Sequence, residues 1–270
     1  MGNILDEIVH AKRREVAEAR ARRPLAEVQA AARAAAAPRD FHAALSGPPA
    51  HYGIHVIAEI KRRSPSAGLI RADFDPQAIA RIYQQHHATC LSVLTDGPYF
   101  DGRPEYLQQV KAAVPLPVLR KDFIVDAYQV YESRAAGADC VLLIGEVLPP
   151  AQLTELLDLA WDLGMTSLIE VHEADTLAGL RDAIGFPNGK RSLLGINNRN
   201  LKFQKTDLAT TERLAGRVGA GTILVSESGV KSRADVDRLI AAGARALLIG
   251  ETFMKAPDIG AKMHEVLQPA

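Results

Sequence analysis

The chain has 270 residues, 47% of them hydrophobic, 5% aromatic and 24% charged, the composition of an ordinary globular protein with apolar material for one large core or two small ones. Its 32 Lys and Arg balance 32 Asp and Glu, so no whole-chain positive field draws in nucleic acid or an anionic membrane. Two cysteines, Cys90 and Cys140, exclude a disulfide framework and a paired-cysteine zinc site, and no uninterrupted apolar segment reaches the roughly 20 residues that span a bilayer.

The N-terminus, MGNILDEIVHAKRR, has acids early and no apolar signal core, so it does not read as a secretory peptide. With reduced, buried thiols expected at Cys90 and Cys140, this points to a cytoplasmic protein. Asn3 is placed to cap a first helix in which Ile4, Leu5, Ile8, Val9 and Val16 recur at helical spacing. Arg20 to Arg23 form its basic end, a solvated helix terminus rather than a nucleic-acid arm, and Pro24 stops it. A second, Ala-rich helix is expected over Leu25 to Ala37, ended by Pro38, and Ser46 to Pro49 is a turn.

A rhythm follows. Eight apolar, β-rich runs occur at Val56–Ile60, Cys90–Leu94, Pro117–Leu119, Cys140–Ile144, Thr166–Ile169, Leu193–Ile196, Ile223–Val225 and Ala246–Ile249. Helical periodicity fills the gaps at Pro76–His87, Pro104–Ala113, Asp126–Ala136, Ala151–Leu163, Glu173–Ala183, Thr206–Ala215 and Ser232–Ala242. Most strands are apolar on both faces, as expected when helices cover one side and a core fills the other. The size and count fit a closed (β/α)8 TIM barrel over residues 51–270, with residues 1–50 an N-terminal helical extension packing on it. An open doubly wound sheet is the alternative, but it gives no reason for eight even repeats.

Barrels place their chemistry at the C-terminal ends of the strands. Here those ends are polar. They bring Glu59, Lys61 and Ser64; Thr95 and Asp96; Arg120, Lys121 and Asp122; Glu146; Glu170; Asn197 to Asn200; Ser226 to Gly229; and Gly250-Glu251. Glu59 and Lys61 are two apart, so they share one side of their strand. Any one charged residue there could be a structural ion pair, but the set converges on one rim, where desolvation perturbs proton affinities and a lysine and a glutamate can serve as acid and base. The loops after strands seven and eight, Ser228-Gly229 and Gly250-Glu251, each precede a helical segment, the usual phosphate grip of such barrels. Arg63 and Ser64 close that grip from the first loop.

There is no G-x-x-x-x-G-K-[ST] and no G-x-G-x-x-G. His51 and His55 have metal-like spacing but precede strand one, at the non-catalytic end, and have no third partner. His172, just beyond Glu170, is the one histidine near the rim.

The stretches IAEIKRRSPSAG, LTDGPYFDG, LRKDFIVDAYQVYESRAAGADCVLLI, LIEVHEADTL, LGINNRNL, SESGV and LIGETFM together resemble indole-3-glycerol phosphate synthase of tryptophan biosynthesis, over essentially the whole chain. The resemblance implies closure of the indole ring of 1-(2-carboxyphenylamino)-1-deoxyribulose 5-phosphate, releasing carbon dioxide and water, by a carboxy-lyase that needs no metal and no organic cofactor. It implies that Lys121 is the general acid at the ketone and Glu170 the general base at the later proton removal. Lys61 would meet the substrate carboxylate and assist dehydration, with Glu59 orienting it. Asn197 and Glu227 would hold the sugar hydroxyls and the charge network, and Arg199 the substrate near its carboxylate. Phe123, Leu142 and Leu201 would form the slot for the ring, and Ser64, Ser228, Gly229, Gly250 and Glu251 the phosphate end. Glu251 stands where many members of the family have serine; a carboxylate cannot donate to phosphate, so only its backbone N–H is expected there, with the side chain turned away. The loop at 185–190 is expected at the far end of the barrel, without a catalytic part. The expected partner is a small phosphorylated molecule, with neither nucleic acid nor membrane involved, and the chain is expected to act as a monomer or weak homodimer.

Three other readings fit less well. An isomerase of a phosphorylated sugar amine pairs a cysteine or aspartate at the end of strand one with a distant aspartate, where this chain has Glu59 and Lys61. A barrel that merely binds phosphorylated ligands would be expected to lack Lys121 or Glu170. A fused second barrel does not fit in 270 residues.

Overall fold

The computed structural model describes residues 4–186, 188–189, 191–200 and 205–269. Among them, eight parallel strands close into a barrel: β1 (His55–Ile60), β2 (Cys90–Leu94), β3 (Val118–Lys121), β4 (Cys140–Ile144), β5 (Thr166–Val171), β6 (Ser192–Asn197), β7 (Leu224–Glu227) and β8 (Ala246–Ile249). Neighbours in sequence are neighbours in space, and β1 pairs both β2 and β8.

Alternation along β1 sorts its side chains. Ile57 faces the barrel interior with Cys90, Leu119, Cys140, Leu168, Leu193 and Val225. Val56, Ala58 and Ile60 face outward, onto Ile79 and Tyr83 of helix Pro76–Gln85 and Met263 of helix Ile259–Leu267. The same period continues Ile57 into Glu59 and Lys61, which carries both charges to the inside of the mouth. Both cysteines are free and fully buried, and burial pushes their thiols well above the ordinary range. Gly137 and Gly243 end helices with φ of 89° and 98°, a left-handed turn that a side chain would strain.

Four strands run further than their apolar runs suggest. β3 continues through Arg120 to Lys121, β5 through Glu170 to Val171, β6 to Asn197 and β7 to Glu227. The ladder registers Lys121 with Leu94, Glu170 with Ile144 and Asn197 with Glu227. Backbone pairing is indifferent to side-chain polarity, so a polar residue that ends the hydrophobic run need not end the strand. These functional groups therefore stand on rigid ladder positions instead of on loops.

The extension covers both ends of the barrel. It comprises α1 (Ile4–Arg22), α2 (Leu25–Ala34) and α3 (Phe41–Ser46); Asn3, the expected cap of α1, lies outside the described residues. Leu5 and Ile8 of α1 pack with Phe123, Leu142 and Ile144 at the C-terminal mouth. Phe41 and Leu45 of α3 join the same interior cluster from the other end. That end is fixed by Arg39, which donates to the carbonyls of Val114 and Leu116 just ahead of β3, and by the His55 ring against the Gly47 carbonyl at 2.9 Å. α2 stops at Ala34, three residues short of expectation, because Arg134 draws the carbonyls of Ala35 and Ala36 out of helical pairing at 2.9 and 2.6 Å. Gly97–Phe100 forms one helical turn capped by Asp96, whose carboxylate accepts from Tyr99 N at 3.0 Å. The helix expected from Thr206 begins at Ala209.

Lys12 pins α1 to the mouth. It is 3% exposed, and its ammonium meets Asp96 at 2.8 Å, Asp122 at 3.0 Å and Glu15 at 2.7 Å. Burial opposes its charge, but Asp122 and Asp96 outweigh it and raise its pKa. Lys12→Ala strands the Asp96 carboxylate while Asp122 keeps Arg120. Its expected cost is about 3 kcal/mol, read as a lower urea midpoint, with a raised KM because Ile8 leaves the pocket wall.

Candidate active site

The strand ends and their loops enclose one pocket at the C-terminal mouth. All of the expected site residues that are described line it: Glu59, Lys61, Ser64, Lys121, Phe123, Leu142, Glu170, Asn197, Arg199, Glu227, Ser228, Gly229, Gly250 and Glu251. Leu201 lies outside the described residues.

The floor of the pocket is a charge network. Lys121 Nζ lies 2.7 Å from Glu170 Oε2 and 3.4 Å from Glu227 Oε2. Lys61 is paired with Glu59 beside it. Burial alone would lower the Lys121 pKa, but Glu170, Glu227 and Glu59 outweigh it and hold the ammonium above its ordinary value. Burial would raise Glu170; Lys121 and then His172 overcome it and hold this carboxyl at about 2. Glu227 goes the other way. Burial and the adjacent Glu170 charge raise it well above the ordinary carboxyl range. The two adjoining carboxyls are thus pushed in opposite directions, Glu170 down and Glu227 up. Both Glu227 oxygens are buried, with the Lys121 ammonium at 3.4 Å from one of them.

Asn197 and Asn198 divide their work. Asn197 lines the pocket and accepts from the Arg199 N–H at 3.0 Å. Asn198 points away and ties β6 to Ser226 Oγ at 3.0 Å and to Thr211.

Two glycines here make room for carboxylates. A Cβ on Gly195 of β6 would run into the Glu227 carboxylate, and one on Gly250 into Glu59. Gly195→Ala is therefore expected to displace Glu227 and lower kcat about 10²-fold while the barrel stays folded, checked by steady-state kinetics beside circular dichroism.

One side of the pocket is apolar, formed by Ile4 and Ile8 of α1 with Phe100, Phe123, Leu142 and Ile144. The opposite side is made by the loops after β1, β7 and β8. Ser228 has φ 67°, an uncommon conformation for a non-glycine residue, and Gly229 follows at φ 93°. Ser64 is 2% exposed, and its hydroxyl accepts from Ala67 N at 3.2 Å. Arg199 spans this side: it bonds Ser66 and pairs with Glu251 at 2.8 Å. Its guanidinium thus stands at the loop end of the pocket. Glu251 also pairs with Lys255 at 2.6 Å; burial would raise it, but Lys255 and Arg199 hold it at about 2.

Ile4, Ile8, Phe100, Ser66 and Thr252 are pocket residues that sequence reasoning did not place there. Ile4 and Ile8 carry a signal, one helical turn of spacing, but spacing does not say what a stripe packs against. His55 is a structural residue of the far end, and His51 stacks on His87 with ring centroids 3.7 Å apart. No helix among the described residues is long and apolar enough to cross a membrane.

Comparison with known proteins gives the same picture. The family described as indole-3-glycerol phosphate synthase matches residues 5–266. The chain is 53% identical over 265 residues to the indole-3-glycerol phosphate synthase of Rhodospirillum rubrum, covering 96% of this chain and 97% of that protein. It is 50% identical over 270 residues to that of Albidiferax ferrireducens, covering 100% of both. Among solved structures, a mutant tryptophan synthase alpha-subunit from Pyrococcus furiosus aligns with a TM-score of 0.56 at 14% identity, over 79% of this chain and 97% of that one. Triosephosphate isomerase from Bartonella henselae aligns with a TM-score of 0.55 at 15% identity, over 78% and 98%. At such identities the structural likeness is one of fold alone. Matched by the family along residues 5–266 and half-identical to relatives over their whole length, the chain belongs to the indole-3-glycerol phosphate synthase family.

Proposed function

We propose that the chain closes the indole ring of 1-(2-carboxyphenylamino)-1-deoxyribulose 5-phosphate with Lys121 as general acid and Glu170 as general base. It is a carboxy-lyase of tryptophan biosynthesis. The observation that carries the assignment of roles is the buried Lys121–Glu170 pair at 2.7 Å, with an apolar slot on one side and the phosphate-type loops on the other.

In the first step the ring carbon bearing the carboxylate attacks the ketone carbon, and the ketone oxygen takes a proton from Lys121. Carbon dioxide then leaves from the ring carbon and its bonding pair restores the aromatic ring. In the last step Glu170 takes a proton from the methylene carbon beside the nitrogen, and the new hydroxyl takes a proton from a lysine ammonium of the pocket and departs as water. Lys61, held by Glu59, faces the substrate carboxylate and assists that dehydration. Glu227 and Asn197 meet the sugar hydroxyls. Phosphate lies on Ser64, the Ser228-Gly229 turn and the backbone of Gly250-Glu251, where first-turn N–H groups have no intrahelical partner.

The resting pair is not at working proton affinity. An ammonium held above its ordinary value is a weak acid, and a carboxylate at about 2 is a weak base. A ketone seated between them separates the two charges. The largest charge opposing burial at each group is then weakened, so Lys121 moves down and Glu170 up from their resting values, while Glu227 and Glu59 still face Lys121 and His172 still faces Glu170. Holding the ring carbon against the ketone adds a proximity effect of several kcal/mol. Incubation with the carboxyphenylamino sugar phosphate is expected to give rising indole fluorescence; folded protein that gives none would exclude the assignment.

A further inference from the structure

Behind the general base lies a group that the reaction above does not use. His172 is two residues beyond Glu170, so it leans to the same side of the chain. Its ring is buried and fixed from the adjoining strand. Glu146, just past β4, accepts from the His172 and Glu173 backbone N–H groups at 2.8 and 3.2 Å, and its second oxygen meets His172 Nδ1 at 3.0 Å. A carboxylate at Nδ1 requires the proton on that nitrogen. The other nitrogen, Nε2, is buried without a hydrogen-bond partner among the described residues, and it lies 3.6 Å from Glu170 Oε1. Glu170 is therefore faced by a basic side chain at each oxygen: Lys121 at Oε2 and His172 at Oε1.

We propose that His172 is a positioning residue for Glu170: fixed by Glu146, its imidazolium keeps the Glu170 carboxylate aimed and anionic after Lys121 has turned to the substrate. The inference rests on Glu170 being the general base. The two proton transfers occur at different moments, and the first removes Lys121 from Glu170. Without a second cation, the buried carboxylate could take a proton from its surroundings before the methylene proton is ready. His172 closes that interval.

The charged groups facing His172 are Glu146 past β4, Glu170 on β5 and Lys121 on β3. Burial and Lys121 lower its pKa, but Glu146 and Glu170 outweigh them, so the ring stays charged to a higher pH than a free histidine. The imidazolium is present below that raised value and lost above it. Neutral His172 would present a lone pair from Nε2 to the Glu170 carboxylate.

The test is the pH dependence of kcat and kcat/KM. Wild type is expected to lose activity on the basic side as His172 deprotonates. His172→Gln keeps an N–H toward Glu170 but does not titrate, so that basic limb disappears and kcat falls about 10-fold, with KM little changed. His172→Ala loses about 10²-fold in kcat. Glu146→Gln still accepts from the two backbone N–H groups but removes the charge, so the limb moves to lower pH. A wild-type basic limb in His172→Gln, or wild-type turnover in His172→Ala, would overturn the proposal. Glu170→Gln assayed beside them separates the two ideas. If it retains turnover, the base assignment fails; if it is inactive while the limb in His172→Gln is unchanged, only the role of His172 fails.

Discussion

Replacing Lys121 by alanine is expected to lower kcat about 10²- to 10⁴-fold, the contribution of the general acid we propose it to be, and also to change how stability depends on pH. In the intact site the folded-state pKa of Glu170, about 2, lies below its unfolded value, so its ionisation stabilises the fold above the unfolded pKa. That contribution is lost as pH falls toward 2. Without Lys121 that contribution shrinks, because the largest charge opposing burial is gone and His172 alone faces Glu170. Glu227, already raised by burial and by Glu170, loses the ammonium that lowers it. A group raised further above its unfolded value costs more stability as pH rises. The gap between variant and wild type should therefore widen from pH 5 to pH 8, reaching about 3–5 kcal/mol, the usual cost of removing one partner of a buried pair. Urea midpoints at the two pH values check this.

Glu170→Gln has the opposite profile. The amide keeps the shape of the side chain but does not take a proton, so kcat is expected to fall by about 10²- to 10⁴-fold with KM little changed. Stability should suffer less than in Lys121→Ala. Lys121 still has Glu227 at 3.4 Å, and once the Glu170 charge is gone the ammonium pulls Glu227 toward ionisation. A counter-ion is therefore available within the pocket. In wild type, a Glu170 pKa of about 2 means that free enzyme shows no loss of kcat/KM from this group between pH 5 and 8.

The barrel and its rim were readable from the chain because both are periodic. Eight apolar runs separated by helical patterns leave little choice of architecture, and period two along Ile57, Glu59 and Lys61 tells which side carries the charges. The strand ends were read short because their last residues are polar. Lys121, Glu170, Asn197 and Glu227 break the apolar run while the ladder continues beneath them. What stayed hidden is tertiary. Ile4 and Ile8 announce an apolar stripe but not the pocket they wall, and Phe41 with Leu45 is too short a pattern to announce a plug for the barrel floor. Gly195 looks like an ordinary strand glycine until Glu227 is seen to occupy the place of its Cβ. Arg199 shows its use only when Ser66 and Glu251, from loops far apart in sequence, meet it.

The separate roles proposed for Lys121 and Glu170 make one measurement decisive. In a single turnover with substrate labelled in the carboxylate, carbon dioxide release reports the ring-closing and decarboxylation steps, and indole absorbance reports the final proton removal. Wild type should release both in step. Lys121→Ala should release neither, because the ketone is not protonated. Glu170→Gln should release carbon dioxide ahead of indole, leaving a decarboxylated, still hydroxylated intermediate. Indole formed by Glu170→Gln in step with carbon dioxide at the wild-type rate, or prompt carbon dioxide release by Lys121→Ala, would contradict the assignment of acid and base.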